Sequence, residues 1–410
     1  MMLRVVTFCL AGLILLATGC QPPDDRVRIR IWHQKNDVER YFFNEAIAAY
    51  NAEHPDRYVE ALYKETEELR NLFIVASVGG KGPDLVYGPA DNLSVFALTE
   101  AIQPIDNILS PEYLAQFNAD GIISWNDSQW MVADQVGNHL TFVYNKEMMP
   151  VPPETTDEMI DMLRQLTKDT DGDGKIDQYG LTWNYVEPFF FMPFLTGYGG
   201  WVMDDAGNPT LDTEATINAI QFILDLRDKH KVIPRESDYN IAETLFKERR
   251  AAAIINGPWA WGGYGEAGID YGLARIPRMS ATGKWSSPLV ASKGYSLNAN
   301  VSEESLPYVR DVLHYLTNAE MQADMAKNIA SIPTIDIVRQ DSLVQQNEIL
   351  RSSLYQVEVG LAMPIAPQMR QIWDGMRGPY QLIMNGASTA SAGARMMQEE
   401  VEKRIADTFL

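Results

Sequence analysis

The chain reads as an α/β protein of two domains, each a mainly parallel sheet flanked by helices. Strand-like and helix-like periodicities alternate from residue 27 onward, the rhythm that builds parallel sheets. At 410 residues the chain is longer than one hydrophobic core usually grows. Its apolar fraction of 46% is ample for two cores.

Val27-Arg28-Ile29-Arg30-Ile31 alternates with period two and predicts a strand. Residues 38–50 carry Phe42, Ala46, Ala49 and Tyr50 in helical register, and His54-Pro55 ends that helix. A second strand is expected over 59–63, a second helix over 65–78, and a short buried strand at Asp84-Leu85-Val86-Tyr87. Ligands on such sheets sit beyond the carboxyl ends of the strands, which places residues 34–37 and 88–92 at a cleft. Residues 136–144 run on as an extended segment. Val151-Pro152-Pro153 and a helix over 156–166 then open new material, read as a crossover into the second domain. Alternation resumes over 251–255, and Gly294-Tyr295-Ser296-Leu297 is another extended stretch after Ser286-Ser287-Pro288.

Composition narrows the function. A net charge of −21 and the lack of any Lys/Arg cluster argue against a nucleic-acid partner, because a phosphate backbone needs clustered cations. Arg4 followed by an apolar stretch over 5–17 reads as a secretory signal, too short to span a bilayer comfortably. Leu16-Ala17-Thr18-Gly19-Cys20 resembles a bacterial lipobox, with Ala17 where Leu is preferred. Cys20 is therefore either the lipidated first residue, followed by a short tether over 20–26, or an incidental Cys beside an ordinary cleavage site. Lipidation would anchor the protein to a membrane without spanning it. Cys9 and Cys20 are the only cysteines. With residues 1–19 removed the mature protein has no internal disulfide and depends on its core.

Two aromatic clusters more than a hundred residues apart carry the chemistry. They are Asn256-Gly257-Pro258-Trp259-Ala260-Trp261, and Met363-Pro364 followed by Pro367-Gln368-Met369, Trp373 and Arg377. An indole covers the C–H face of a pyranose while nearby polar groups take its hydroxyls, and burying ~150 Å² of it is worth at most about 4 kcal/mol. Core packing is the alternative for any single Trp.

Together with Ile31-Trp32, Gly82-Pro83-Asp84, Val143-Tyr144-Asn145-Lys146, Glu187-Pro188-Phe189 and Asp238-Tyr239-Asn240-Ile241-Ala242-Glu243, in this order, these clusters resemble the maltose/maltodextrin-binding proteins. That group lies within the family 1 extracellular solute-binding proteins that serve ABC importers. The resemblance implies a two-lobed periplasmic-binding-protein-like fold with a multi-crossing hinge. Residues 27–138 plus 292–341 would form the first lobe, and 139–291 plus 342–410 the second. It also implies an extracytoplasmic, lipid-anchored, monomeric receptor that captures an α-glucan and delivers it to a membrane permease, with no cofactor and no catalysis.

By the same resemblance the sugar meets Asn36, Asp37, Asp91 and Asn138 on the first side, and Glu187, Pro188, Phe189, Tyr239, Trp259, Trp373 and Arg377 on the second. Met363 would be a packing residue at the cleft rim. Asp91 also suits a helix N-cap for residue 93 onward, and both roles can hold together. Asn36-Asp37 stands where the best-known members carry Asp then Lys, Gly88 where Trp is frequent, Asn92 where Arg is usual, and Asn138 where Glu is usual. One stacking face and two charges are missing, which leaves the class intact and sets this site apart from that of the best-known members.

Asp169-Thr170-Asp171-Gly172-Asp173-Gly174-Lys175-Ile176-Asp177 is close to the Asp-x-Asp-x-Asp-Gly loop of calcium sites, with Asp169, Asp171, Asp173, Lys175 and Asp177 as expected contributors. Gly180 falls where a bidentate Glu belongs, and a solvated acidic turn is the alternative. Any calcium there would be structural. Gly263-Tyr264-Gly265-Glu266-Ala267-Gly268 matches the dinucleotide pattern only formally, because a strand pattern follows where a helix is required; it reads as a turn. Two other functions compete with a receptor for maltodextrins: a receptor for another oligosaccharide or glucoside, and a glycoside hydrolase using Asp91 and Glu187 as its carboxylate pair.

Overall fold

The computed structural model describes residues 26–35 and 37–409. The signal segment, Cys20 and Asn36 lie outside the described residues.

The first sheet begins as the alternation predicts. Strands β1 (Val27–His33), β2 (Arg57–Tyr63) and β3 (Leu85–Pro89) are parallel, joined through helices Asp37–Glu53 and Thr66–Val78. Ile29, Ile31 and His33 of β1 point into the core. The chain then adds β4 (Ile102–Gln103), β5 (Ile122–Trp125) and β6 (Ser128–Gly137). At Gly137 and Asn138 φ turns positive, 152° and 39°, and β7 (Thr141–Asn145) opens a second sheet with β8 (Tyr179–Thr182), β9 (Ala251–Asn256) and β10 (Tyr271–Ala274). The return is β11 (Leu289–Asn298), and β12 (Leu361–Ala362) pairs with its start.

Strand order is β2-β1-β3-β11-β6-β5 in the first sheet and β10-β7-β9-β8 in the second. Both sheets are mixed, a correction to the mainly parallel expectation. β11 runs antiparallel to β3, β4 and β6, and β7 is antiparallel to both β9 and β10. The reason is connectivity: β11 arrives from the other sheet, so it enters between β3 and β6 without a βαβ crossover to fix its direction.

With smaller clusters on the opposite faces of the sheets, the two largest cores lie one against each sheet. β11 straddles them, with Leu289 and Ala291 packed in the second core and Tyr295 and Leu297 in the first. Val344 of helix Ser342–Gln346 still packs with Ala326 and Ile332 of the first lobe. Beyond it, helix Glu348–Glu358 is tied to the second lobe by Arg275 Nη2 to Glu358 Oε2 at 2.7 Å and by Ile276 N donating to Gln356 Oε1 at 2.7 Å. Residues 263–266, read as a turn, belong to helix Pro258–Glu266; the turn is only its end at Ala267 and Gly268. Among the described residues no helix is long and apolar enough to cross a membrane.

Candidate functional site

Between the sheets lies a cleft of about 810 Å³. Ten of the twelve expected ligand-binding residues line it. Asn36 is outside the described residues, and Pro188 is buried at the first helical position of Pro188–Gly197, off the cleft wall.

The first-lobe wall is polar and sits beyond the carboxyl ends of β1 and β3, as the sheet rule requires. Gln34 follows β1, and Asp37 opens helix Asp37–Glu53 with φ of 43°. Asp91 sits inside the short helical turn Ala90–Asn92 after β3. The residue at the N-cap of helix Leu93–Leu98 is Asn92, whose side chain makes no cap bond, so Asp91 stands one residue before the cap position expected for it. Asn92 Oδ1 instead accepts from Arg70 Nη1 at 3.1 Å. Asn138, at the first crossing, closes this side.

The second-lobe wall is aromatic. Phe189 stands between the two indoles, its ring centroid 6.3 Å from that of Trp259 and 6.4 Å from that of Trp373. Trp373 and Arg377 lie one turn apart on helix Gln368–Met384, so both face the same way. Glu187 occupies the N-cap position of its helix without capping it. Its two oxygens accept from Arg377 Nε and Nη2 at 3.2 and 3.1 Å, the forked pairing that fixes both planes. Tyr239 begins helix Tyr239–Lys247, which Asp238 caps. Burial, then Glu243, pushes the Tyr239 hydroxyl pKa well up, with a smaller push from Asp37 across the cleft. Met363 is buried and lines the cleft. The lobes also meet where Val38 packs on the backbone of Gly262.

Sequence reasoning missed the charged floor. Glu39 and Lys293 line the cleft; Lys293 Nζ is 3.1 and 3.2 Å from the two Glu39 oxygens, and both residues are buried. Beside them Lys35 Nζ is 3.4 Å from Asp134 Oδ2. Burial alone would raise Glu39, yet Lys293 and Lys35 hold its carboxyl below the usual range. For Lys35 and Asp134 burial prevails, lowering the amine and raising the acid, which makes theirs the weaker pair. A lone Lys in the otherwise uncharged strand β11 was the available signal. Tyr63, Glu65, Thr66 and Arg70, at the end of β2 and the start of the next helix, were also missed and extend the polar wall.

In the acidic loop, oxygens of Asp169, Asp171 and Asp177 lie within 4.8 Å of one another. Asp173 is outside that group, its Oδ2 3.2 Å from Lys175 Nζ. Gly180 takes no part: a Cβ there would sit 2.6 Å from the Leu163 carbonyl oxygen, so it is a close-packing position of β8 against helix Thr156–Leu166.

Residues 45–352 match the family model described as bacterial extracellular solute-binding protein. The maltose/maltodextrin-binding domain from Bdellovibrio bacteriovorus, solved with maltotriose, is 43% identical with a TM-score of 0.90, covering 93% of this chain and all of that one. A maltotriose-binding protein of Pyrococcus abyssi is 26% identical over 92% of this chain and 82% of its own length. A galactooligosaccharide-binding protein of Bacillus subtilis is 24% identical over 92% and 89%.

Proposed function

This chain belongs to the bacterial extracellular solute-binding proteins, and we propose that its cleft captures maltose and maltodextrins and delivers them to an ABC importer permease. The observation that carries this reading is the opposite character of the two walls. Phe189, Trp259 and Trp373 form an apolar platform, while Asp37, Asp91 and Asn138 face it with hydroxyl partners. A pyranose has this same asymmetry, an apolar C–H face and a rim of hydroxyls. The ligand named for the 43% identical neighbour is maltotriose, an α-glucan.

Contacts on both lobes make closure the means of signalling occupancy, since ligand favours whichever arrangement lets both walls touch it. The cleft has no catalytic role in this reading. Both Glu187 oxygens already accept from Arg377, which suits holding a sugar better than donating a proton to it. Cys20 carries the lipid anchor, and Cys20→Ser should release soluble protein or leave an unprocessed precursor. Asp169, Asp171 and Asp177 hold a structural calcium ion, with no part in the cleft.

A thermal-shift panel of maltose, maltotriose, maltotetraose and galacto-oligosaccharides tests the assignment. Gly88, Asn92 and Asn138 depart from the maltose-binding pattern, and the Bacillus relative is named for galactooligosaccharides. A larger shift with galacto-oligosaccharides than with any α-glucan would therefore replace the α-glucan reading. Recovery of the sugar unchanged after prolonged incubation is expected; cleavage products would restore the hydrolase.

A further inference from the structure

Trp259 packs over a residue, Gly257, that does not itself line the cleft. Its indole is folded back over the backbone of Gly257. A Cβ built on Gly257 would lie 2.2, 2.3 and 2.7 Å from ring carbons Cζ3, Cη2 and Cε3, far inside the ~3.5–4.0 Å at which carbon atoms rest. The backbone there has φ −112° and ψ −179°, extended geometry that any residue adopts. Glycine is thus required for the space it leaves to the ring, and the chain path would tolerate other residues.

The peptide beneath the ring is held in place. Gly257 N donates to Asn256 Oδ1 at 2.9 Å, and Asn256 Nδ2 donates to Glu243 Oε1 at 2.7 Å and to the Tyr264 hydroxyl at 2.9 Å. Lys247 Nζ, 2.8 Å from Glu243 Oε2, balances that carboxylate. Asn256, Glu243 and Tyr264 are buried, so the peptide is pinned by groups that belong to the protein itself. On the cleft side Phe189 is tilted 52° to the indole.

We infer that Gly257 is a positioning residue for sugar recognition: the missing side chain, on a peptide pinned by Asn256 and Glu243, seats the Trp259 indole as a preformed stacking face. Preformation matters because ordering a side chain on binding subtracts from affinity. This inference rests on the cleft being a sugar site, and its test separates the two.

Calorimetry with maltotriose compares wild type, Gly257→Ala, Trp259→Ala, the double variant and Gly265→Ala. Gly265 lies on the same helix, where a Cβ meets nothing within 4 Å. Gly257→Ala should weaken binding about 30-fold, the worth of one stacked indole face. Gly265→Ala should bind as wild type, and in the Trp259→Ala background Gly257→Ala should cost nothing further. Wild-type affinity in Gly257→Ala, or an equal loss in both backgrounds, overturns the inference.

Ligand-free protein labelled with 5-fluorotryptophan supplies the independent readout. The ¹⁹F resonance absent from Trp259→Phe should move in Gly257→Ala, broaden in Asn256→Ala and stay fixed in Gly265→Ala. A resonance unmoved in the first two variants refutes positioning. If it moves while maltotriose gives no heat with wild type, the ligand assignment has failed and the positioning stands.

Discussion

Lys293→Met removes one charge from a buried pair while keeping most of the side-chain volume. Glu39 and Lys293 are 5% and 6% exposed, so water cannot solvate the carboxylate left behind. Glu39 would retain the Gln135 amide, 3.3 Å from Oε1, and the neighbouring charge of Lys35. Breaking a buried pair on one side costs about 3–5 kcal/mol. At ~2–4 °C per kcal/mol for a domain of this size, the melting temperature should fall by about 6–20 °C. The double variant Glu39→Leu/Lys293→Met removes both charges and should recover most of that loss, because two apolar groups of similar volume leave no orphaned ion. Scanning calorimetry at neutral pH, on the ligand-free protein, measures these two variants and the single Glu39→Leu against wild type. A single variant within about 1 kcal/mol of wild type, or a double variant showing simple additivity, would mean the pair does not act as a buried unit.

The remaining predictions concern the aromatic wall, pH and calcium. Trp373 is 7% exposed and part of the second core, so Trp373→Ala should cost about 3–5 kcal/mol of stability as well as affinity; thermal melting and calorimetry read the two separately. Burial lowers His33 to about 3, with nearby Lys35 and Arg40 adding to the effect, and burial lowers His139 to about 4. The unfolded chain then binds more protons below ~6.5, and stability that is complete above that pH falls by up to ~2.7 kcal/mol per unit as pH drops toward 4. His139→Gln should halve that slope in denaturation measured across pH. Ca²⁺ should raise the melting temperature relative to chelator, and Asp169→Asn should abolish the difference; an unchanged wild-type melt returns the loop to a solvated turn.

The first three strands were legible because each repeats its pattern locally. Val27 to Ile31 alternates, and the following helix carries its apolar residues at helical spacing. The direction of β11 was not legible, since Leu289–Asn298 reads the same parallel or antiparallel and its neighbours β3 and β6 are far off in sequence. The same division holds at the site. Trp259, Trp373, Glu187 and Arg377 were found because they stand in distinctive motifs. Glu39 was hidden, because an acidic residue in the first turn of a helix is ordinary surface chemistry in sequence; only the fold brings Lys293 beside it. Arg70 was hidden likewise, one of several charges on a helix whose inward turn depends on where Asn92 lies. Gly257 was visible as part of a motif, but its reason, a ring lying over its backbone, exists only in three dimensions.

Titration calorimetry of the wild-type protein with maltotriose tests the central claim most directly. The two-walled cleft predicts saturable one-to-one binding with a dissociation constant of about 1 μM, near −8 kcal/mol. No heat with maltotriose or any other α-glucan, beside clear binding of an unrelated solute, would contradict it.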